Sequence, residues 1–245
     1  MTRSSIVHRR RPVLLRPLLA AGALLIGLSQ SAQAQTTVGE VWPELDAYVR
    51  LSSAARLFLM MAPVISRDAR SLSERQAGAN IEVGIAPIAP RRRVKAQDAD
   101  KLRYLRFRLG YYRIGTNDSS GSSLSERRLI AEATPRVFLP LDVLVVLRGR
   151  MDFRWLEEGY SWRPRLRLWI EREGPVGPVV LIPYVSAETF YDSRYDAWSR
   201  TYYQTGIGIP VSRRVVPEVY YGRQIDREPS DKTVNALGVV VTLYF

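Results

Sequence analysis

From about residue 44 onward, apolar and polar residues alternate along the chain. Val143, Val145, Leu147, Gly149, Met151, Phe153 and Trp155 fall on one side of the alternation, and Arg148, Arg150, Asp152 and Arg154 on the other. Helical spacing would mix the two sets, whereas successive side chains of a strand point to opposite faces. The next run repeats the pattern, with Trp162, Leu166, Leu168 and Ile170 opposed to Arg163, Arg165, Arg167 and Glu171. Glu157-Glu158-Gly159 between the runs predicts a tight hairpin turn. Leu105, Phe107, Leu109 and Tyr111 alternate with Tyr104, Arg106, Arg108 and Tyr112, and Asn117–Ser123 reads as a polar loop. Beyond it, Leu129, Ala131 and Ala133 face away from Arg128, Glu132 and Arg136. Weaker strands read at 44–51, 55–62, 79–86, 179–190, 198–209, 215–225 and 233–245, which makes eleven candidates. The longest and most charged connections are expected at 66–76 and 91–101, where Arg91-Arg92-Arg93 is a solvated turn or a contact for lipid phosphates.

No segment after residue 34 reaches the roughly 18 apolar residues that a spanning helix needs. If the chain crosses a membrane, it crosses as strands. The expected fold is all-β, an antiparallel up-and-down transmembrane β-barrel of ten to twelve strands. Because single-chain bacterial barrels have even strand numbers, eleven candidates mean one of two things. Either 44–51 is not a full strand, or one near Arg91–Lys95 is hidden, and twelve is the expected count.

A membrane barrel keeps its apolar face outward and its polar face in the lumen. That assigns Arg106, Arg108, Arg148, Arg150, Asp152, Arg154, Arg163, Arg165, Arg167, Glu188 and Glu218 to the lumen lining, with Tyr184, Tyr202, Gln204, Tyr220 and Gln224 beside them. Trp42, Trp155, Tyr160, Trp162, Tyr191, Tyr195, Trp198, Tyr244 and Phe245 suit interfacial girdles, or alternatively core packing. The ending Leu237, Val239, Val241, Leu243 and Phe245 alternates without a break. Val241, Leu243 and Phe245 resemble the assembly signal read by the outer-membrane insertion machinery.

The beginning of the chain changes the setting. Arg3, Arg9, Arg10, Arg11 and Arg16 precede an apolar run, Leu18–Leu28, and small residues Ala32 and Ala34. This is the pattern of a signal peptide over 1–34, leaving a barrel over 35–245 that is exported to an outer membrane. Removing five arginines and no acid from a net charge of +12 leaves +7. That moderate charge is spread among apolar residues, so nucleic acid is not an expected partner. The chain has no cysteine, and its one histidine, His8, lies in the signal segment. Thiolate chemistry and histidine general bases are therefore excluded from 35–245, and no cofactor is expected.

Four stretches carry a family likeness: Trp42-Pro43-Glu44, Glu171-Arg172-Glu173, Pro183 through Glu188 to Asp196, and Asn235–Phe245. Together they resemble the family catalogued as domain of unknown function 2490. The resemblance covers nearly all of 35–245, is most specific over Glu188–Asp196, and implies an outer-membrane-like barrel. It implies no activity and supplies no catalytic residues.

The functional expectation is a structural barrel or a narrow anion-preferring channel, because rings of arginine favour anions in pores. The arginines could instead pair with Glu126, Glu132, Asp152, Glu171, Glu188 and Glu218 and fill the lumen. Two alternatives stand beside it. One is an outer-membrane enzyme using Glu157 with Glu158, or Asp192 with Asp196, as acid and base. The other is a soluble periplasmic barrel binding an apolar ligand in the lipocalin manner. Outer-membrane lipid, lipopolysaccharide and the barrel-assembly machinery are the expected partners, with the oligomeric state left open.

Overall fold

The computed structural model describes residues 36–66, 71–87, 103–117 and 123–245. The expected signal peptide, Arg91-Arg92-Arg93 and the centre of the Asn117–Ser123 loop lie outside them. The described strands are β1 (Thr36–Arg50), β2 (Ala55–Ser66), β3 (Ser71–Pro87), β4 (Arg103–Asn117), β5 (Ser123–Leu139), β6 (Val143–Leu156), β7 (Gly159–Arg172), β8 (Gly174–Val176), β9 (Val179–Asp192), β10 (Ala197–Gly208), β11 (Val215–Asp226) and β12 (Lys232–Tyr244).

Each neighbour pairs with the next in chain order, except that β7 pairs past the three-residue β8 onto β9, and β12 returns to β1. The result is a closed barrel of eleven staves with β8 as a short flap on β9. The eleven staves coincide with the eleven alternating runs of the sequence. The even-number rule misled the expectation of a twelfth stave, because β3 and β4 pair directly from Glu74↔Thr116 to Pro87↔Arg103 and leave no place for a strand between them.

An odd number of up-and-down staves forces the first and last to run the same way. Accordingly β1 and β12 pair in parallel, in register from Thr36↔Lys232 to Tyr48↔Tyr244, and every other stave contact is antiparallel. Phe245 extends this seam by donating its N–H to the Tyr48 carbonyl at 2.8 Å and accepting the Arg50 N–H at 3.0 Å.

The charged loop expected at 66–76 is mostly strand. Residues 71–76 continue β3 opposite Ser66 to Ala62. Near the rim both faces of β3 are polar, so no amphipathic contrast marks it in the sequence.

The barrel is apolar outside and charged inside. Leu147, Leu166 and Leu168 are exposed on the outer wall, as are Leu109, Met61 and Val219 on other staves. Arg148, Arg150, Arg165 and Arg167 point inward. Water-soluble barrels have the opposite distribution. At the rim holding the β6–β7 turn, Trp155 packs on Tyr160, Trp162 on Tyr191, and Tyr191 on Trp198, all with ring centroids within 6 Å. Two of the expected girdle aromatics face the other way. Trp42 lines the interior against Tyr202, and Tyr244 stacks on the interior Tyr48, because both share the inward parity of their strands.

Candidate functional site

A cavity of about 890 Å³ runs within the barrel, lined by residues of all eleven staves. Its lining extends from Glu158 and Lys232 near one rim to Tyr48, Leu144 and Thr242 toward the other. Ten of the residues assigned to the lumen from sequence line it: Arg106, Arg108, Arg148, Arg150, Arg154, Arg163, Arg165, Arg167, Glu188 and Glu218. Asp152 lies beneath them, fully buried. Val241 and Leu243 alternate with the lumen-facing Val240 and Thr242 and so face outward, and Phe245 is exposed at the end of the seam.

Apart from the separate pair Arg200–Asp226, the interior ion pairs join into one unbroken chain. Glu82 takes Arg56 at 2.5 Å, Arg106 at 3.3 Å and Arg108 at 2.6 Å. Arg108 also lies 3.9 Å from Glu132, which is 3.9 Å from Arg148. Arg148 bonds Glu188 at 2.8 Å, and Glu188 also accepts Arg165 and Arg167, each at 2.9 Å. Arg165 reaches Asp152 at 3.5 Å, where Arg150 at 2.5 Å and Arg128 at 3.6 Å converge as well. Arg128 continues to Glu126 at 2.7 Å. Both Glu126 oxygens accept Arg154 at 2.8 Å, and Arg154 donates to Asp192 at 3.0 Å. Asp192 holds Arg163 and Arg194 too.

Among the described residues, eleven arginines thus share six carboxylates, an excess of positive charge on the inner wall carried by β4–β7. Each carboxylate serves arginines from different staves or from alternate positions of one stave. Removing one partner of such a buried set leaves uncompensated charge, which is far costlier than losing an exposed pair.

The facing wall is different. Glu44 and Asp46 of β1, Tyr202 of β10, and Glu218 and Tyr220 of β11 line it. Glu218 takes a short hydrogen bond from the Tyr184 hydroxyl, which accepts Gln204 Nε2 at 2.7 Å and stacks on Trp169 at 3.8 Å. Glu171 accepts the Trp169 indole N–H at 2.9 Å. Of the six acids weighed as arginine partners from sequence, Glu126, Glu132, Asp152 and Glu188 belong to the ion-pair chain.

Of the two acid pairs weighed for catalysis, Asp192 and Asp196 do not converge. Asp192 points inward and is saturated by three guanidinium groups, whereas Asp196 accepts the outward-facing Tyr191 hydroxyl. Glu157 and Glu158 sit in the rim turn, with Glu157 accepting the Ser125 N–H at 3.2 Å. The interior mixes apolar side chains such as Phe58, Ile114 and Val240 with the charged groups, whereas a lipocalin-type ligand calls for a predominantly apolar pocket.

Sequence reasoning missed Glu82 and Arg56, which anchor one end of the ion-pair chain. A signal existed: Asn80 and Glu82 alternate with Ile81, Val83 and Ile85. Arg56 was harder to place, because its inward neighbour Phe58 makes both faces of that stretch apolar.

No protein-family model matches the sequence, and no curated protein matches it. Among solved structures, the chain is similar to the beta domain of the Bordetella autotransporter BrkA. The two are 13% identical, the match covers 77% of this chain and 83% of that one, and the TM-score is 0.42.

Proposed function

We propose that this chain is an outer-membrane β-barrel whose interior is a narrow, anion-preferring water path braced by the arginine–carboxylate chain. The observation that carries the reading is the surplus of guanidinium groups over carboxylates within the ion-pair chain, along the β4–β7 wall of a cavity that every stave lines. On that wall a cation meets positive charge and an anion meets donors that the six carboxylates leave incompletely neutralised, while the acids Glu44, Asp46 and Glu218 stand on the facing wall. The outer wall supports the membrane setting. Large apolar residues are exposed on successive staves, which calls for an apolar surrounding, and the rim aromatics match an interfacial girdle.

A second reading rests on the same ion pairs, since they tie β2–β7 and β9 together along the inner wall and would serve a purely structural barrel. Conductance separates the two. The purified barrel in a planar bilayer under a potassium chloride gradient is expected to give small, steady steps with a reversal potential displaced toward chloride. A silent bilayer with correctly inserted protein overturns the channel and retains the brace.

A further inference from the structure

The outer wall carries one group of charges that the membrane reading leaves unexplained. Arg75 of β3, Arg113 of β4 and Arg127 of β5 all face outward and are exposed, near the rim that holds the β4–β5 and β6–β7 turns. Arg113 and Arg127 are direct cross-strand partners, and Arg127 is in turn opposite Trp155. Arg75 lays its side chain across Gly115, with Nε 3.1 Å from where a Cβ would stand, beside Arg113 on the same strand and face.

Like charges directly opposite on neighbouring strands repel, and the interior shows how this barrel handles arginine, with a carboxylate for every cluster. Among the described residues, no carboxylate pairs with these three. A groove of about 440 Å³ opens beside Arg113 and Arg127, lined by Tyr111, Arg113, Ser125, Arg127, Trp155, Leu156 and Glu157, with Arg75 outside it on the neighbouring stave. Its single acid, Glu157, is engaged by the Ser125 N–H. Toward the barrel's waist the same face turns apolar, with Leu109, Leu129 and Ile81 exposed.

We infer that this groove binds the phosphate headgroup of an anionic membrane lipid, with the guanidinium groups on the phosphate and the acyl chains over Leu109, Leu129 and Ile81. Guanidinium is suited to this because its planar donor fork matches phosphate oxygens. The aromatic rings of Trp155 and Tyr111 place the site at headgroup depth. The inference rests on the membrane reading but on none of the interior residues.

The test compares wild type, Arg113→Gln/Arg127→Gln, and a control, Arg213→Gln/Arg214→Gln, which removes exposed arginines at the opposite rim. Each is purified, checked for insertion into phosphatidylcholine vesicles, and titrated in detergent with diphosphorylated lipid A while lipid-bound species are counted by native mass spectrometry. Phosphatidylcholine and inorganic phosphate are the comparison probes. Wild type and control should retain lipid A, and the groove variant should bind it about twenty-fivefold more weakly, from roughly fivefold per surface arginine. Equal retention by the groove variant, or equal competition by inorganic phosphate alone, overturns the site while leaving the barrel intact. Failure of wild type to insert into vesicles overturns the membrane reading and this inference with it.

Discussion

The Tyr220 ring lies directly over Gly238 of the adjoining stave, so close that a Cβ on the glycine would sit 2.0 Å from the ring carbon Cζ. Tyr184 covers Gly206 and Tyr202 covers Gly222 in the same way, so three tyrosines of β9–β11 each lie over a glycine of the next strand. A ring that covers a strand glycine supplies the packing the glycine lacks and pins the register. Gly238→Val should therefore displace Tyr220 and destabilise the barrel by about 1–3 kcal/mol, the usual cost of overpacking. Gly149→Ala, with no atom closer than 4.0 Å to the new methyl, should stay within about 0.5 kcal/mol of wild type. Urea unfolding of the two variants in the same detergent checks the contrast.

Glu188 is the junction of the ion-pair chain. It is only 1% exposed and holds Arg148, Arg165 and Arg167 from two staves. Glu188→Gln leaves those charges uncompensated and is expected to cost about 3–5 kcal/mol, as breaking a buried pair does. The temperature at which the compact, heat-modifiable band converts to the unfolded one on a gel should fall clearly. Glu158→Gln, an exposed change in the rim turn, should leave it unmoved.

Asp192 and Asp196 are four residues apart but lie on different sides of the wall. Asp192→Asn should destabilise the folded barrel, since Arg154, Arg163 and Arg194 lose their shared anion. Asp196→Asn should change stability by no more than about 0.5 kcal/mol, the range of an ordinary surface substitution. Equal effects in the same gel-shift assay would contradict this division of roles.

Most of the barrel was legible in the period-two pattern, which located all eleven staves and gave the inward and outward sets of β4–β7 correctly. The closure was not legible, because parity of strand direction depends on the exact count, and a general rule about even numbers outweighed the count itself. The ion-pair chain was half legible. Arginines in mid-strand stand out, but an acid such as Glu82 shows its role only when pairing register brings Arg108 of β4 opposite it. Asp192 reads as one of a local acid pair until the turn after β9 separates it from Asp196. The outward Arg75 could not be recognised at all, since it fell in what looked like a loop.

Leu168 sits near the middle of β7, opposite Leu147 of β6 and Ala187 of β9, with its side chain outward. If that surface meets hydrocarbon, Leu168→Arg should destabilise the barrel by about 2–4 kcal/mol in bilayers, the cost of a cation near the midplane. The same residue in water would be nearly neutral on an exposed strand, so refolding equilibria in lipid vesicles report directly on what covers it.

Which side of the wall meets lipid is the point on which the account turns, and the absence of cysteine makes it measurable with single introduced thiols. A fluorophore attached at Leu147→Cys or Leu166→Cys, on the outer wall, is compared with one at Gln224→Cys or Thr242→Cys, which line the cavity outside the ion-pair chain. In vesicles, the first two should be quenched by brominated lipid and spared by aqueous iodide, and the second two should show the reverse. Iodide quenching at Leu147 and Leu166 together with bromolipid quenching at Gln224 and Thr242 would contradict the account.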